Sequence, residues 1–204
     1  MGVLPAAVIS GLLFAAVLSP QQPERQSCQV SPLVSAAAPS DRGADPMGST
    51  GHPSERGLHL DARAGYDWLN ANGYDPGDIV IHGFSLGSAV AVQLAAERSA
   101  RALILEAPMT GVDDIAAEHG AGLFAPLMRD SFRSRDYIGR VRMPVLIAHG
   151  DADSVIPFAH GERLYSLASE PKQFLLMPGS DHATLARDGL YAHIWSFLEQ
   201  HQGE

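Results

Sequence analysis

The chain has 204 residues, of which 46% are apolar and 18% charged, enough for one domain with a buried core and too short for two ordinary ones. Asp and Glu number 23 against 14 Lys and Arg, a formal net charge of −9, which argues against a nucleic-acid backbone or an anionic membrane face as the main partner. Cys28 is the single cysteine, so an internal disulfide framework and a cysteine-built zinc site are excluded.

Residues 2–22 carry no charged side chain, and residues 12–18 form an unbroken apolar run. That composition suits an export signal or a membrane anchor. Pro5, Ser10 and Gly11 interrupt the span, and no Lys or Arg precedes it. Export or membrane association through residues 2–22 is therefore one expectation, and a cytoplasmic protein the other. Residues 19–46, rich in Pro, Ser, Gln and Ala and without a period, read as linker or disorder. The expected organisation is a leader and linker over residues 1–46 and one folded domain over 47–204.

Leu58, Ala62, Gly65 and Leu69 recur at helical spacing, and the pattern stops near Asn72-Gly73. Residues 78–82 (D-I-V-I-H) are a short apolar strand, and residues 86–98 are apolar on nearly every side, as a helix buried against a sheet would be. Further strands are predicted over 102–105, 144–148 and 173–177, with a helix over 158–168 between the last two. Leu190, Ile194, Phe197 and Leu198 mark a closing helix. Residues 109–142 break the rhythm and read as a short helical excursion. Strands alternating with helices imply a mostly parallel α/β sheet with right-handed crossovers.

The chemistry falls at strand ends. The strand ending at His82 runs into Gly83-Phe84-Ser85-Leu86-Gly87, a G-x-S-x-G sequence, and then into the buried helix. A serine on so sharp a strand-to-helix turn needs small neighbours two residues away, here Gly83 and Gly87. Its hydroxyl then stands above the sheet, and the Leu86 N–H faces the place where an oxyanion would form. A serine hydroxyl needs a base, and the base an orienting acid. The later strand ends read H-G-D-A-D-S-V-I-P at 149–157 and P-G-S-D-H at 178–182. These offer Asp151 or Asp153 as the acid and His182 as the base, in the chain order expected for this architecture.

With the G-S-T-G-H-P-S-E-R-G-L stretch at 48–58, these motifs resemble the C-terminal part of an α/β-hydrolase of the Bem46-like and serine aminopeptidase S33-type group. The resemblance covers about three quarters of the chain. It implies a partial α/β-hydrolase fold with a short helical cap excursion. By its register, the acid is Asp153, the last Asp of H-G-x-x-D, and the base is His182. It implies an esterase, lipase, thioesterase or S33-type peptidase acting on a small-molecule acyl substrate, with no metal and no organic cofactor.

The remaining candidates have plainer readings. His149, Asp151 and Asp153 alternate as metal ligands could, but no further ligand falls in register, and His149 reads as a hydrogen-bonded residue at a strand end. Asp181 reads as a turn residue. His52, His59, His119, His160, His193 and His201 read as surface or packing residues, and Trp68 and Trp195 as core. Leu123, Phe124, Leu127, Met128 and Phe132 suggest an apolar acyl or alkyl group in the substrate.

In the resembled family, a strand ending in an H-G-x-x-G-like loop pairs beside the serine-bearing strand and gives a second oxyanion N–H. Residues 1–46 contain no such motif. The expectation is a domain lacking the N-terminal half of its sheet, with an apolar strand edge at 78–82 left bare and prone to association. A catalytically impaired hydrolase fragment is the alternative to an active enzyme.

Overall fold

Four strands with apolar residues on both faces require helices on both sides of the sheet. The computed structural model, which describes residues 6–11, 17–18, 54–118 and 129–201, has that arrangement. Two strands come first, β1 (Ala6–Gly11) and β2 (Val17–Leu18). Helix α1 (Glu55–Ala71) follows, opened by Ser54, whose hydroxyl accepts the Gly57 N–H at 3.1 Å. Then come β3 (Ile79–Phe84), α2 (Leu86–Glu97), β4 (Ala102–Glu106) and the short α3 (Val112–Glu118). The chain closes with β5 (Val145–Gly150), α4 (Phe158–Leu167), β6 (Lys172–Met177) and α5 (Leu190–Gln200).

The strand order is β2-β1-β3-β4-β5-β6, with every pairing parallel except β1 with β2. Alternation along the strands sorts the core into two layers. Ile79, Ile81, Leu103, Leu105, Val145 and Ile147 face one way and pack with Tyr66 and Leu69 of α1, Val92 and Leu94 of α2, and Leu164 of α4. Val80, Ile104 and Leu146 face the other way and meet Leu185 together with Leu190, Ile194 and Phe197 of α5. Each fully buried aliphatic or aromatic side chain contributes about 1.5–3 kcal/mol relative to exposure.

The edge expected to be bare is covered. β1 runs parallel beside β3, with Ala7 to Gly11 opposite Ile79 to Gly83, and β2 returns antiparallel along the outer side of β1. Ladder hydrogen bonds therefore reach both sides of β3, the strand that leads to Ser85. An uncharged apolar run reads alike as a leader or as a strand, because hydropathy carries no period in either case. The Pro- and Ser-rich stretch expected as a linker, residues 19–46, lies outside the described residues. Among the described residues no helix is long and apolar enough to cross a membrane.

Trp68 and Trp195, expected in the core, are 44% and 43% exposed. The buried faces of their helices are set by Leu69 and Ile194, each one residue away and so about 100° round the helix. Both indoles consequently turn toward solvent.

The excursion after β4 breaks the alternation: among the described residues, α3 is followed by single turns of 3₁₀ helix at Ser134–Asp136 and Ile138–Arg140. Leu123, Phe124, Leu127 and Met128 lie outside the described residues. Phe132 is buried and packs with Ala89 and Val90 of α2. The base of the excursion is fixed by buried Asp113, whose carboxylate takes Arg135 through both oxygens at 2.9 and 2.7 Å and Arg133 at 2.9 Å.

The Arg135 guanidinium, ahead of Arg133, holds the Asp113 carboxyl down to about 2. This value lies below the ordinary 3.8, so on acidification the unfolded chain takes up the proton first. Stability from this group is full above about pH 4 and is lost as pH falls toward 2. Arg133 is about half exposed, and screening trims the contribution to about 1–2 kcal/mol. In urea titrations the wild type is expected to lose that increment between pH 4 and 2. Asp113→Asn should lack this part of the acid dependence and be less stable already at pH 7. Identical acid slopes for the two proteins would contradict the assignment.

Candidate active site

Ser85 sits between β3 and α2 with φ 53° and ψ −124°, a strained conformation for a residue other than glycine, costing about 1–3 kcal/mol. The surroundings fix it. The Ser85 N–H donates to the Glu106 carbonyl at 3.0 Å. The Ser85 carbonyl accepts the Ser88 N–H at 2.9 Å and the Ser88 hydroxyl at 2.6 Å.

Gly83 is small for a visible reason. A Cβ there would lie 2.6 Å from both the Gly87 carbonyl oxygen and Ser88 Cα, and 2.7 Å from Ala91 Cβ. The close crossing of strand and helix that raises Ser85 needs this glycine. Leu86 is the first residue of α2, so its N–H points out of the helix end rather than at an intrahelical carbonyl. The backbone of Gly11, at the end of β1, lies level with Gly83 in the sheet.

The other two predicted residues follow β5 and β6, at the same edge of the sheet. His182 Nε2 lies 2.9 Å from Ser85 Oγ, and His182 Nδ1 lies 2.9 Å from Asp153 Oδ2. Asp153 can only accept when ionised, so Nδ1 carries the proton and Nε2 is left to accept from the serine hydroxyl. The Phe84 ring lies 5.1 Å from the His182 imidazole and flanks it.

The Asp153 carboxylate is fully buried. Its Oδ1 accepts the N–H groups of Val155 at 2.9 Å and Ile156 at 2.8 Å, which leaves Oδ2 for His182. Asp151, the other acid candidate, is exposed and turned to the Gly179 N–H at 2.6 Å. Of the two acids, the structure places Asp153 on the histidine.

His149 is hydrogen-bonded at the end of β5, as the sequence suggests, and also touches the acid. Its Nε2 lies 3.0 Å from the Ile156 carbonyl and 3.2 Å from Asp153 Oδ2. Both partners accept, so Nε2 carries the proton. Burial pushes the imidazole below its ordinary value and keeps it neutral, outweighing Asp153. Gly161 makes room for the ring, since a Cβ there would fall 2.6 Å from His149 Nδ1. Among the described residues no group of three or more His, Cys, Asp or Glu side chains is arranged to hold a metal ion.

Two features had no clear signal in the sequence. Glu106, at the end of β4, supplies the carbonyl that holds the Ser85 N–H, and its side chain is buried 3.3 Å from His82 Nε2. Asp181, read as a turn residue, reaches across to the loop that carries Asp153.

No family model matches the chain. Over 137 residues, 66% of this chain and 49% of the relative, it is 41% identical to an uncharacterized protein of Mycobacterium tuberculosis. Over 144 residues, 70% of this chain and 49% of the relative, it is 33% identical to human alpha/beta hydrolase domain-containing protein 17B. The chain thus spans about half the length of the curated relatives it matches. Among solved structures it is similar to Est1E from Butyrivibrio proteoclasticus, with a TM-score of 0.57 at 18% identity over 76% of this chain and 77% of that one. Parallel sheet, strand-end site and sequence likeness agree: the chain belongs to the α/β-hydrolase superfamily.

Proposed function

We propose that the chain is a serine hydrolase that cleaves carboxylic ester, thioester or small amide bonds through an acyl-enzyme. The observation that supports this most is the continuous hydrogen-bonded path from Ser85 Oγ through His182 to the buried Asp153, each link 2.9 Å long. In this reading Ser85 Oγ attacks the carbonyl carbon of a small acyl substrate while His182 Nε2 takes the hydroxyl proton. Asp153 holds the imidazole in its Nδ1–H tautomer and stabilises the imidazolium. The Leu86 N–H, with the partial positive charge of the α2 N-terminus, faces the oxyanion.

The tetrahedral intermediate collapses as His182 returns its proton to the leaving oxygen, sulfur or nitrogen. Water then gives a proton to His182 and attacks the acyl carbon. Collapse of the second intermediate returns that proton to Ser85 Oγ and releases the acid. The complete cycle returns the serine and histidine to their starting forms, so this route calls for no cofactor.

The reading is tested by initial rates on p-nitrophenyl acetate and p-nitrophenyl butyrate with monodisperse wild-type protein. Saturable release of p-nitrophenol above the uncatalysed rate is the expected result. A folded, monodisperse sample that hydrolyses neither ester nor a matched thioester or anilide would favour the impaired-fragment alternative.

A further inference from the structure

Two loops must meet for this site to work. One carries Asp153 after β5, and the other carries His182 after β6. Each loop lends a carboxylate to the backbone of the other. From the acid loop, Asp151 Oδ1 accepts the Gly179 N–H at 2.6 Å. From the base loop, Asp181 Oδ1 accepts the Ser154 N–H at 2.8 Å and the Ser154 hydroxyl at 2.9 Å. The same Asp181 oxygen accepts the N–H of His182 itself at 2.8 Å.

Asp181 is thus bonded to the residue after the acid and to the backbone of the base. The two loops also pack with no slack. A Cβ on Gly150 would collide with the Ser180 carbonyl oxygen, and the Ala152 N–H donates to that oxygen at 3.3 Å. The Ser154 N–H, ahead of that of His182, holds the Asp181 carboxyl below the ordinary carboxylate range, so it stays an acceptor where the site would operate.

We propose that Asp151 and Asp181 form a reciprocal carboxylate clamp that positions Asp153 against His182. Neither is a catalytic residue, since each acts through the loop it holds. The proposal rests on the hydrolase reading of the same site. Its physical basis is that a positioning error of about 1 Å in a catalytic hydrogen bond costs on the order of 10²-fold in rate, whereas the overall fold is unaffected.

The test compares the full-length wild type with Asp181→Ala, Asp151→Ala and Asp181→Asn. Steady-state hydrolysis of p-nitrophenyl butyrate is measured beside the downfield NMR resonance of the His182 Nδ1 proton. In Asp181→Ala, kcat is expected to fall about 10–100-fold with KM within about twofold of wild type. The downfield resonance should broaden or vanish while the melting temperature changes little. Asp151→Ala is expected to act in the same direction and less strongly, because it loses one hydrogen bond. Asp181→Asn keeps an oxygen that accepts and is expected to restore most of kcat.

Wild-type kcat and a sharp resonance in Asp181→Ala would overturn the clamp, and so would an Asp181→Asn as impaired as Asp181→Ala. Failure of the hydrolase reading is recognised separately, by absence of turnover in the wild type. The resonance in the variants then decides the clamp alone.

Discussion

Replacing Ser85 with Ala is expected to lower ester hydrolysis by at least about 10⁴-fold and to leave the fold unchanged. Removal of the nucleophile from a working Ser-His-Asp site typically costs this much or more. The substitution takes away one oxygen atom. The backbone bonds that hold residue 85, from its N–H to Glu106 and from Ser88 to its carbonyl, remain available to alanine. Alanine at φ 53° is strained to about the same degree as serine, so the stability change should stay within about 0.5 kcal/mol. His182→Ala should lose a comparable amount of activity, and the double variant little more than either single one, because the two act as one unit. A Ser85→Ala protein that hydrolyses p-nitrophenyl butyrate at the wild-type rate would remove Ser85 from the mechanism.

Gly83→Ala is expected to have the largest effect on stability and to abolish activity as well. Its Cβ meets backbone atoms at 2.6 Å, and backbone cannot swing aside as a flexible side chain can. Strand β3 and helix α2 must then separate, at a cost of about 2–3 kcal/mol. The separation also shifts Ser85 away from His182. Gly65→Ala is the matched control. Gly65 lies inside α1, and beyond the helix's own backbone no heavy atom of the described residues falls within 4 Å of the added Cβ, so alanine should stabilise the helix by about 0.5–1 kcal/mol. Urea unfolding midpoints read both effects, which have opposite signs. Equal midpoints for wild type and Gly83→Ala would mean that the close crossing is not what fixes the turn.

The elements around the site were legible in the sequence to different degrees, for physical reasons. β3, β4 and β5 could be read because they are buried on both faces, so their apolar runs are continuous and bounded by turns. The relative order of Ser85, Asp153 and His182 could be read because each follows a strand end. β1 could not be distinguished from a leader. Its residues include Ala and Gly, weak strand formers, and its parallel partner β3 is about 70 residues away in sequence. Trp68 and Trp195 were misplaced because an indole next to an apolar stripe reads as part of it, although one residue turns the side chain by about 100°. The reach of Asp181, a turn residue as expected, to the loop after β5 and the role of Glu106 went unread for a third reason. Their contribution lies in which backbone N–H or carbonyl they reach across the fold, and no local spacing encodes that.

The geometry also explains why Asp153 rather than Asp151 is the partner of His182. Both follow β5 within a few residues, and composition does not separate them. Asp153 is buried with two backbone N–H groups on one oxygen, which aims the other at His182. Asp151 points outward to Gly179 and stays exposed. Asp153→Asn should therefore cost far more activity than Asp151→Asn, because an amide in place of Oδ2 favours the wrong imidazole tautomer.

In the proposed mechanism Ser85, activated by His182, forms a covalent bond to an acyl-like electrophile. The most direct test is to treat the wild-type protein with a fluorophosphonate and map the adduct by mass spectrometry, beside His182→Ala and Ser85→Ala. A single stoichiometric adduct on Ser85 is expected, formed much more slowly in His182→Ala and absent in Ser85→Ala. A folded, monodisperse protein that stays unlabelled, or that is labelled on another residue, would contradict it.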